Sequence, residues 1–398
     1  MHLSDRVKRM EESKTILMAR LTRELKAQGK DVITLSLGDL DFDMPDYIKQ
    51  AAHQAIDQNY SHYPPVEGYG DLLEVISKKF YEQTGFSYGK EHLLVSNGAK
   101  HILANIILSL INPGDEVILP IPYWVTYNEL INLAGGKQVY IKTSLENQFK
   151  VLPEQLESAI TDKTKLIILN NPNNPTGTVY NYEELEQLAE VISKHKSVMI
   201  ISDEVYDCLV FDGQFVSMGV FEQIRDQLIL VNGVSKTYAM TGWRVGFMAT
   251  TCTELVKGCK KLQGQMTSGV NAVAQRAALA ALGSGKEIID KRRKILCRRR
   301  ELLTAHLRQL PNVRFMLTKG SFYSFPDFSA YIGKKTHGFE INSTSDLALY
   351  LLQEAQVALV AGEAFGAPGY MRISFATKLN IIEEAMNRIN RALSKLMD

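Results

Sequence analysis

The chain has 398 residues, with 45 Lys+Arg against 44 Asp+Glu and a formal net charge of +1 at pH 7. That balance excludes a whole-molecule field directed at nucleic acid or an acidic membrane. With 45% hydrophobic and 22% charged residues a core of ordinary size can form, and the length admits two compact units or one large domain with a smaller appendage.

In chain order, the first residues carry charge where a signal peptide needs an apolar segment, and no run reaches the ~18 apolar residues of a membrane helix. A cytoplasmic protein is expected. Ser13 stands either as a helix N-cap or, with Thr15, as a Ser-x-Thr pair. Ile16, Leu17, Leu21 and Leu25 have helical spacing up to Gly29, and Val32 to Leu37 reads as a short strand leading into Gly38-Asp39-Leu40-Asp41-Phe42. Tyr63-Pro64-Pro65-Val66-Glu67-Gly68 is a Pro-rich turn before a helix from Asp71 to Tyr81; a tyrosine there is by default a surface or packing residue. Val95-Ser96-Asn97-Gly98-Ala99-Lys100 precedes a wide apolar helix face from Ile102 to Ile111. Free amides and the positive end of that helix make an anion site, and Gly98 and Ala99 leave room for a phosphate. Trp124 follows a strand at Glu116 to Pro120, as core or as an aromatic face for a flat heterocycle.

Three apolar runs then break abruptly into polar residues, the pattern of parallel strands with ligands at their carboxyl ends. Leu166 to Leu169 runs into Asn170-Asn171-Pro172-Asn173-Asn174-Pro175-Thr176-Gly177, Val198 to Ile201 into Ser202-Asp203-Glu204-Val205-Tyr206, and Leu228 to Val231 leads to Ser235-Lys236. Asn174 fits a turn as it stands. Asp203 either caps a helix or needs a cation or hydrogen-bond donors. Lys236, just past a buried strand, loses its charge on burial, and a neutral amine forms a Schiff base with a carbonyl. Eight residues on, Arg244 offers a fork of donors suited to phosphate. The stretch proposes a phosphate-bearing aldehyde held on a lysine.

Lys257 to Leu282 is helical in pattern, broken at Gly283-Ser284-Gly285, and a further helix runs through Leu310. Its basic cluster, Lys291 to Arg300, keeps apolar helical spacing at Ile295, Leu296, Leu302 and Leu303, and reads as a solvated face rather than a nucleic-acid patch. Cys208, Cys252, Cys259 and Cys297 have neither Cys-x-x-Cys nor zinc spacing, so no disulfide framework or metal site is indicated. Gly320 to Phe325 reads as a strand, and Arg372 lies in the apolar strand Tyr370 to Phe375, where an arginine needs a carboxylate from a ligand or from the protein.

Asn-Pro-x-Asn-Pro-Thr-Gly, Ser-Asp-Glu-x-Tyr and Ser-Lys-x-x-x-Met-Thr-Gly-Trp-Arg, in this order, resemble the fold-type I, pyridoxal-phosphate-dependent aminotransferases over nearly the whole chain, most closely their bacterial aspartate branch. The resemblance implies an α/β protein of that fold. A large domain, 46–285, would carry a mostly parallel sheet flanked by helices and bind pyridoxal 5'-phosphate; a small α+β domain would combine 1–45 with 286–398. It implies Lys236 as the lysine that holds the cofactor and moves the α-proton, Asp203 on the pyridinium nitrogen, Tyr206 and Asn174 on the phenolic oxygen, and Trp124 over the ring. Gly98, Ala99, Lys100, Ser235 and Arg244 would surround the phosphate. Tyr63 would reach the phosphate of a neighbouring subunit, which implies a homodimer with shared sites. For substrate, Gly38 and Arg372 would take the α-carboxylate beside Asn174 and Trp124, Lys100 a side-chain carboxylate, and the Ser13–Thr15 pair would lie over the site. The family more often has Glu-Pro where this chain has Asp39-Leu40.

The expected reaction moves the amino group of an L-amino acid, aspartate foremost, to 2-oxoglutarate in two half-reactions through a Lys236 Schiff base. If Lys100 is an ordinary helix-surface residue, aromatic or neutral amino acids become candidates, and some relatives accept prephenate. A carbon–sulfur lyase or cyclising synthase on the same fold is a second reading, distinguished by having no need of a 2-oxo acid acceptor. A cofactor-binding regulator is a third, but the segment before Gly38 has neither the length nor the basic balance for a DNA-binding unit. Small-molecule amino acids and 2-oxo acids are the expected partners, with no nucleic acid, membrane or metal.

Overall fold

The computed structural model describes residues 2–8, 10, 14–336 and 338–396. Ser13, and with it the Ser-x-Thr pair, lies outside the described residues. The strands in chain order begin with β1 (Ile33–Thr34), β2 (Leu93–Ser96), β3 (Glu116–Ile121), β4 (Lys137–Lys142), β5 (Thr164–Asn170), β6 (Met199–Asp203), β7 (Leu228–Gly233) and β8 (Gly246–Ala249). β2 to β8 form one seven-stranded sheet in the order β2-β8-β7-β6-β5-β3-β4, in which only β8 runs antiparallel to its neighbours.

Helices cover both faces of the sheet, which is why its central strands read as unbroken apolar runs rather than alternating ones. In β5, Leu166 and Ile168 join Ile102, Ile106 and Leu255 in one core, while Ile167 and Leu169 join Leu73, Phe80 and Leu188 in the other. The helical stretch 257–282 is two helices, Thr253–Met266 and Ala272–Leu282. Gly269 lies in the break, where a Cβ would come within 2.9 Å of the carbonyl oxygens of Pro64 and Pro65, and Asn271 caps the restart, its side chain accepting from the Ala274 amide at 2.9 Å.

A separate core joins the two ends of the chain: Ile33, Leu35 and Leu40 pack with Leu296, Leu303, Phe322, Val357, Ile373 and Met386. β1 pairs in parallel with Val357–Ala358. β9 (Tyr323–Ser324) and Val360–Ala361 flank Met371–Ser374 in an antiparallel sheet. The strands expected over Val32 to Leu37 and Gly320 to Phe325 thus shrink to two paired residues each, since their neighbours bond outside a regular ladder, as Leu35 N does to the Ala358 carbonyl at 3.0 Å.

The helix Glu287–Leu307 corrects the solvated basic face expected from its charges: Arg292, Arg299 and Arg300 are buried. A spacing of seven puts Arg292 and Arg299 on the same inward stripe as Leu296 and Leu303. Arg299 grips Asp41 with two bonds of 2.6 and 2.8 Å. Arg292 donates to the Asp43 carbonyl at 2.5 Å and the Thr237 carbonyl at 3.1 Å, and Arg300 pairs with Asp212. Phe42 lies 5.3 and 5.0 Å from the Arg292 and Arg299 guanidinium carbons. The helix therefore pins the Gly38 loop to the segment that carries Lys236. Arg299→Met is expected to lower the unfolding free energy by about 1–3 kcal/mol, because the Asp41 carboxylate, whose side chain is 24% exposed, loses both donors. An unchanged urea midpoint would show that water replaces them.

No helix among the described residues is long and apolar enough to cross a membrane.

Candidate active site

The parallel strands deliver their polar ends to one edge of the sheet, the usual ligand edge of an α/β fold. β8 runs the other way, so Arg244, two residues before its start, arrives at that edge as well. The result is a cavity of about 760 Å³ lined by Gly38, Ala99, Lys100, Trp124, Asn174, Asp203, Tyr206, Ser235, Lys236, Arg244 and Arg372. Of the residues singled out in the sequence, Gly98 and Tyr63 are not on this wall. Gly98 lies directly behind it with φ 84°, and a Cβ there would collide with the Arg244 guanidinium. Tyr63 is 92% exposed and takes no part in the cavity of its own chain.

Lys236 extends from the loop after β7 and donates to the Gly38 carbonyl at 2.6 Å. Desolvation pulls its amine down to about 8; Arg372 and Arg244 push the same way, and Asp39 and Asp203 oppose them. The carboxylate of Asp39 also accepts from the Thr241 hydroxyl at 2.9 Å, a second tie between the Gly38 loop and the lysine loop.

Asp203, the last residue of β6, is 2% exposed. No helix starts there, so its side chain is not a helix cap; it accepts from the Tyr127 hydroxyl at 2.6 Å and the Val205 amide at 3.3 Å. Burial pushes its carboxyl up to about 6, against those donors and the Lys236 charge. The next residue, Glu204, points away into a buried pocket of donors: Ser202 at 2.9 Å, Ser217 at 2.9 Å and the Met218 amide at 3.0 Å. Burial nonetheless raises it from 4.5 to about 8. A folded-state value above the unfolded one means the native chain holds a proton that the unfolded chain releases, so this group's contribution to stability is full below the unfolded value near 4.5 and is lost as pH rises through about 8. Glu204→Gln is expected to flatten that fall, raising the urea midpoint at pH 8 relative to pH 5; parallel pH profiles for the two proteins would contradict it.

Arg372 occupies the middle strand of the small sheet and is 4% exposed. It donates to Asn174 Oδ1 at 3.0 Å and the Ser36 carbonyl at 2.8 Å, and its buried Nε has no partner. Its guanidinium stacks 4.4 Å from Tyr323 and 5.1 Å from Phe365. No carboxylate forms an ion pair with it among the described residues, so the protein itself does not supply the anion that this arginine needs. Tyr206, also buried, shares its hydroxyl with that of Tyr323 at 3.4 Å, and burial drives it well above the ordinary phenol value.

At the opposite wall the helix Ala99–Leu110 begins after Gly98 with no side-chain cap. Its first amides, those of Ala99 and Lys100, precede any intrahelical acceptor, and both residues line the cavity together with Arg244 and Ser235. Lys100 Nζ lies 5.1 Å from the Trp124 ring; desolvation, then the Arg244 charge, hold its amine below the ordinary lysine value. Although it is a helix-surface residue by exposure, it faces the cavity. Sequence reasoning missed Tyr127, Tyr323 and Asn170, whose amide donates to the Asp203 carbonyl at 2.9 Å. The signal for Asn170 was its place at the carboxyl end of a buried strand; Tyr127 was hidden among the apolar residues of its helix.

A desolvated lysine, a buried acid, an open helix terminus with an arginine, and a buried arginine lacking an anion share one cavity. The sequence model of the aminotransferase class I and II family matches residues 30–389. The chain belongs to this family. This aminotransferase is 41% identical over 392 residues to the probable aspartate/prephenate aminotransferase of Rhizobium leguminosarum bv. phaseoli, an alignment covering 98% of each chain. Its structure is similar to the aspartate aminotransferase from Rhizobium meliloti, with a TM-score of 0.96, 35% identity and 100% coverage of both chains. It is also similar to the Thermus thermophilus aspartate aminotransferase with maleate, with a TM-score of 0.92, 35% identity, and coverage of 98% of this aminotransferase and 100% of that chain. The expected fold class and enzyme class therefore hold.

Proposed function

We propose that the enzyme is a pyridoxal 5'-phosphate-dependent aminotransferase that moves the amino group of aspartate to 2-oxoglutarate. The observation that carries the reading is Arg372, a buried guanidinium with no carboxylate of its own, in one cavity with the desolvated Lys236. The remaining donors fit the cofactor: an anion cradle at Gly98, Ala99, Lys100, Ser235 and Arg244 for the phosphate, Asp203 for the ring nitrogen, Tyr206 and Asn174 for the phenolic oxygen, and Trp124 for the ring face. When bound, pyridoxal phosphate supplies an aldehyde carbon for the Lys236 amine and a ring that accepts electrons from the substrate α-carbon.

Arg372 grips the α-carboxylate as a fork on a carboxylate, with Gly38 leaving room beside it. Lys236, poised near neutrality, takes the α-proton as general base and returns it as general acid. Lys100, across the cavity beside Trp124, meets a side-chain carboxylate. The similar Thermus thermophilus structure with maleate, itself a dicarboxylate, supports that choice. Prephenate is a second acceptor we consider, on the name carried by the Rhizobium leguminosarum relative. We further propose a large domain of 46–285 and a small domain of 1–45 with 286–398, on the separate core formed by the chain ends. Tyr63, fully out in solvent, completes the phosphate site of a partner subunit in a homodimer. Four unpaired thiols support a reducing compartment such as the cytoplasm.

The test is whether aspartate and 2-oxoglutarate yield oxaloacetate and glutamate in equal amounts, with none formed when the acceptor is left out. Product from aspartate alone would indicate lyase chemistry instead. Lys100→Ala is expected to raise KM for aspartate about tenfold or more, the loss of one hydrogen bond to a charge, and to leave KM for alanine unchanged; equal effects on both would remove Lys100 from substrate choice.

A further inference from the structure

We propose that Tyr127 is a positioning residue that fixes Asp203 and Trp124 relative to each other, and so sets how the cofactor's ring nitrogen and ring face are held; the inference rests on the cofactor reading above. Tyr127 lies in the first turn of the helix Val125–Ala134 and is 2% exposed. Its hydroxyl donates to Asp203 Oδ2 at 2.6 Å. Its ring meets the Trp124 ring edge-on, with centroids 5.4 Å apart and planes at 88°. One side chain therefore touches both groups that bracket the ring.

Among the described residues the other Asp203 oxygen accepts only from the Val205 amide at 3.3 Å, so the tyrosine is the short, strong donor to this carboxylate. The groups that face Asp203 are Tyr127 from this helix, Tyr206 from the turn after β6, and Lys236 from the loop after β7. Burial favours the neutral acid, while the Tyr127 and Val205 donors and the Lys236 charge favour the carboxylate. Only the carboxylate holds a protonated ring nitrogen. Replacing Tyr127 by phenylalanine keeps the ring against Trp124 but removes the donor. Asp203 then loses both its fixed rotamer and part of its preference for the charged form.

The test compares Tyr127→Phe with the parent holoenzyme. Cofactor affinity is expected to fall about tenfold or more, as for a hydrogen bond to a charged group. The pH midpoint of the bound cofactor's visible band is expected to move upward, and kcat to fall with little change in KM for aspartate. In an Asp203→Asn background the same substitution adds no further loss of cofactor affinity, because its target carboxylate is gone. Tyr127→Gln, which keeps a donor, recovers part of the affinity. Unchanged affinity and band in Tyr127→Phe, or losses that add to those of Asp203→Asn, would overturn the inference. So would a Tyr127→Phe chain that does not fold, which would make the residue structural. Failure of the parent to bind pyridoxal phosphate would instead overturn the cofactor reading itself.

Discussion

Lys236→Ala is expected to lower kcat by about four orders of magnitude, the upper range for removal of a positioned acid–base group, and to abolish reductive trapping. Treated with borohydride and pyridoxal phosphate, the parent should yield one modified peptide, the one containing Lys236; the variant should yield none. The reason lies in the amine's surroundings. Desolvation and two nearby guanidiniums bring it to about 8, so a sizeable fraction is neutral at physiological pH, whereas an exposed lysine remains almost wholly charged. Because only the neutral amine is nucleophilic, capture of the cofactor by the apoprotein should accelerate as pH rises through about 8. Trapping on a different lysine would remove Lys236 from its assigned role.

Arg372→Met should separate a ligand-binding arginine from a structural one. If the buried guanidinium awaits a carboxylate, its loss lowers kcat/KM for aspartate and for 2-oxoglutarate together, by about 10²–10³-fold, as expected when one partner of a buried, hydrogen-bonded charge pair is removed. Stability should fall by about 1–3 kcal/mol at most, since the loss of donors to the Asn174 and Ser36 oxygens is offset by removal of a buried charge that has no carboxylate partner among the described residues. Arg372→Lys should lose nearly as much activity, because an ammonium cannot reproduce the fork. A fall in the thermal midpoint without a kinetic effect would mean that the arginine serves the fold.

The ligand edge was legible because chemistry-bearing residues follow apolar runs: Asn174 after β5, Asp203 at the end of β6 and Lys236 after β7. Parallel strands buried on both faces have nowhere else to present polar groups. Arg244 was legible by its distance from the lysine, though the reversed direction of β8 that brings it there was not. Tyr127 was not legible, since a tyrosine on a buried helix face has the same pattern whether its hydroxyl is incidental or meets a carboxylate. The basic helix misled for the opposite reason. A count of charges takes each arginine as solvated, whereas Arg292, Arg299 and Arg300 bury their stems and spend their donors on Asp41, Asp212 and backbone carbonyls. Strand lengths in the small sheet depended on partners distant in the chain, which local patterning does not carry. Tyr63 is exposed and does not line the cavity of its own chain, so its proposed place in a partner's phosphate site rests on the family resemblance alone.

Transamination between aspartate and 2-oxoglutarate is tested most directly by the visible absorbance of the purified holoenzyme as L-aspartate and then 2-oxoglutarate are added. A band that bleaches with aspartate and returns with 2-oxoglutarate is expected, the two half-reactions seen separately. A band unmoved by aspartate but bleached by phenylalanine or alanine would contradict the dicarboxylate assignment built on Lys100, and no band even after pyridoxal phosphate is supplied would contradict the site built on Lys236.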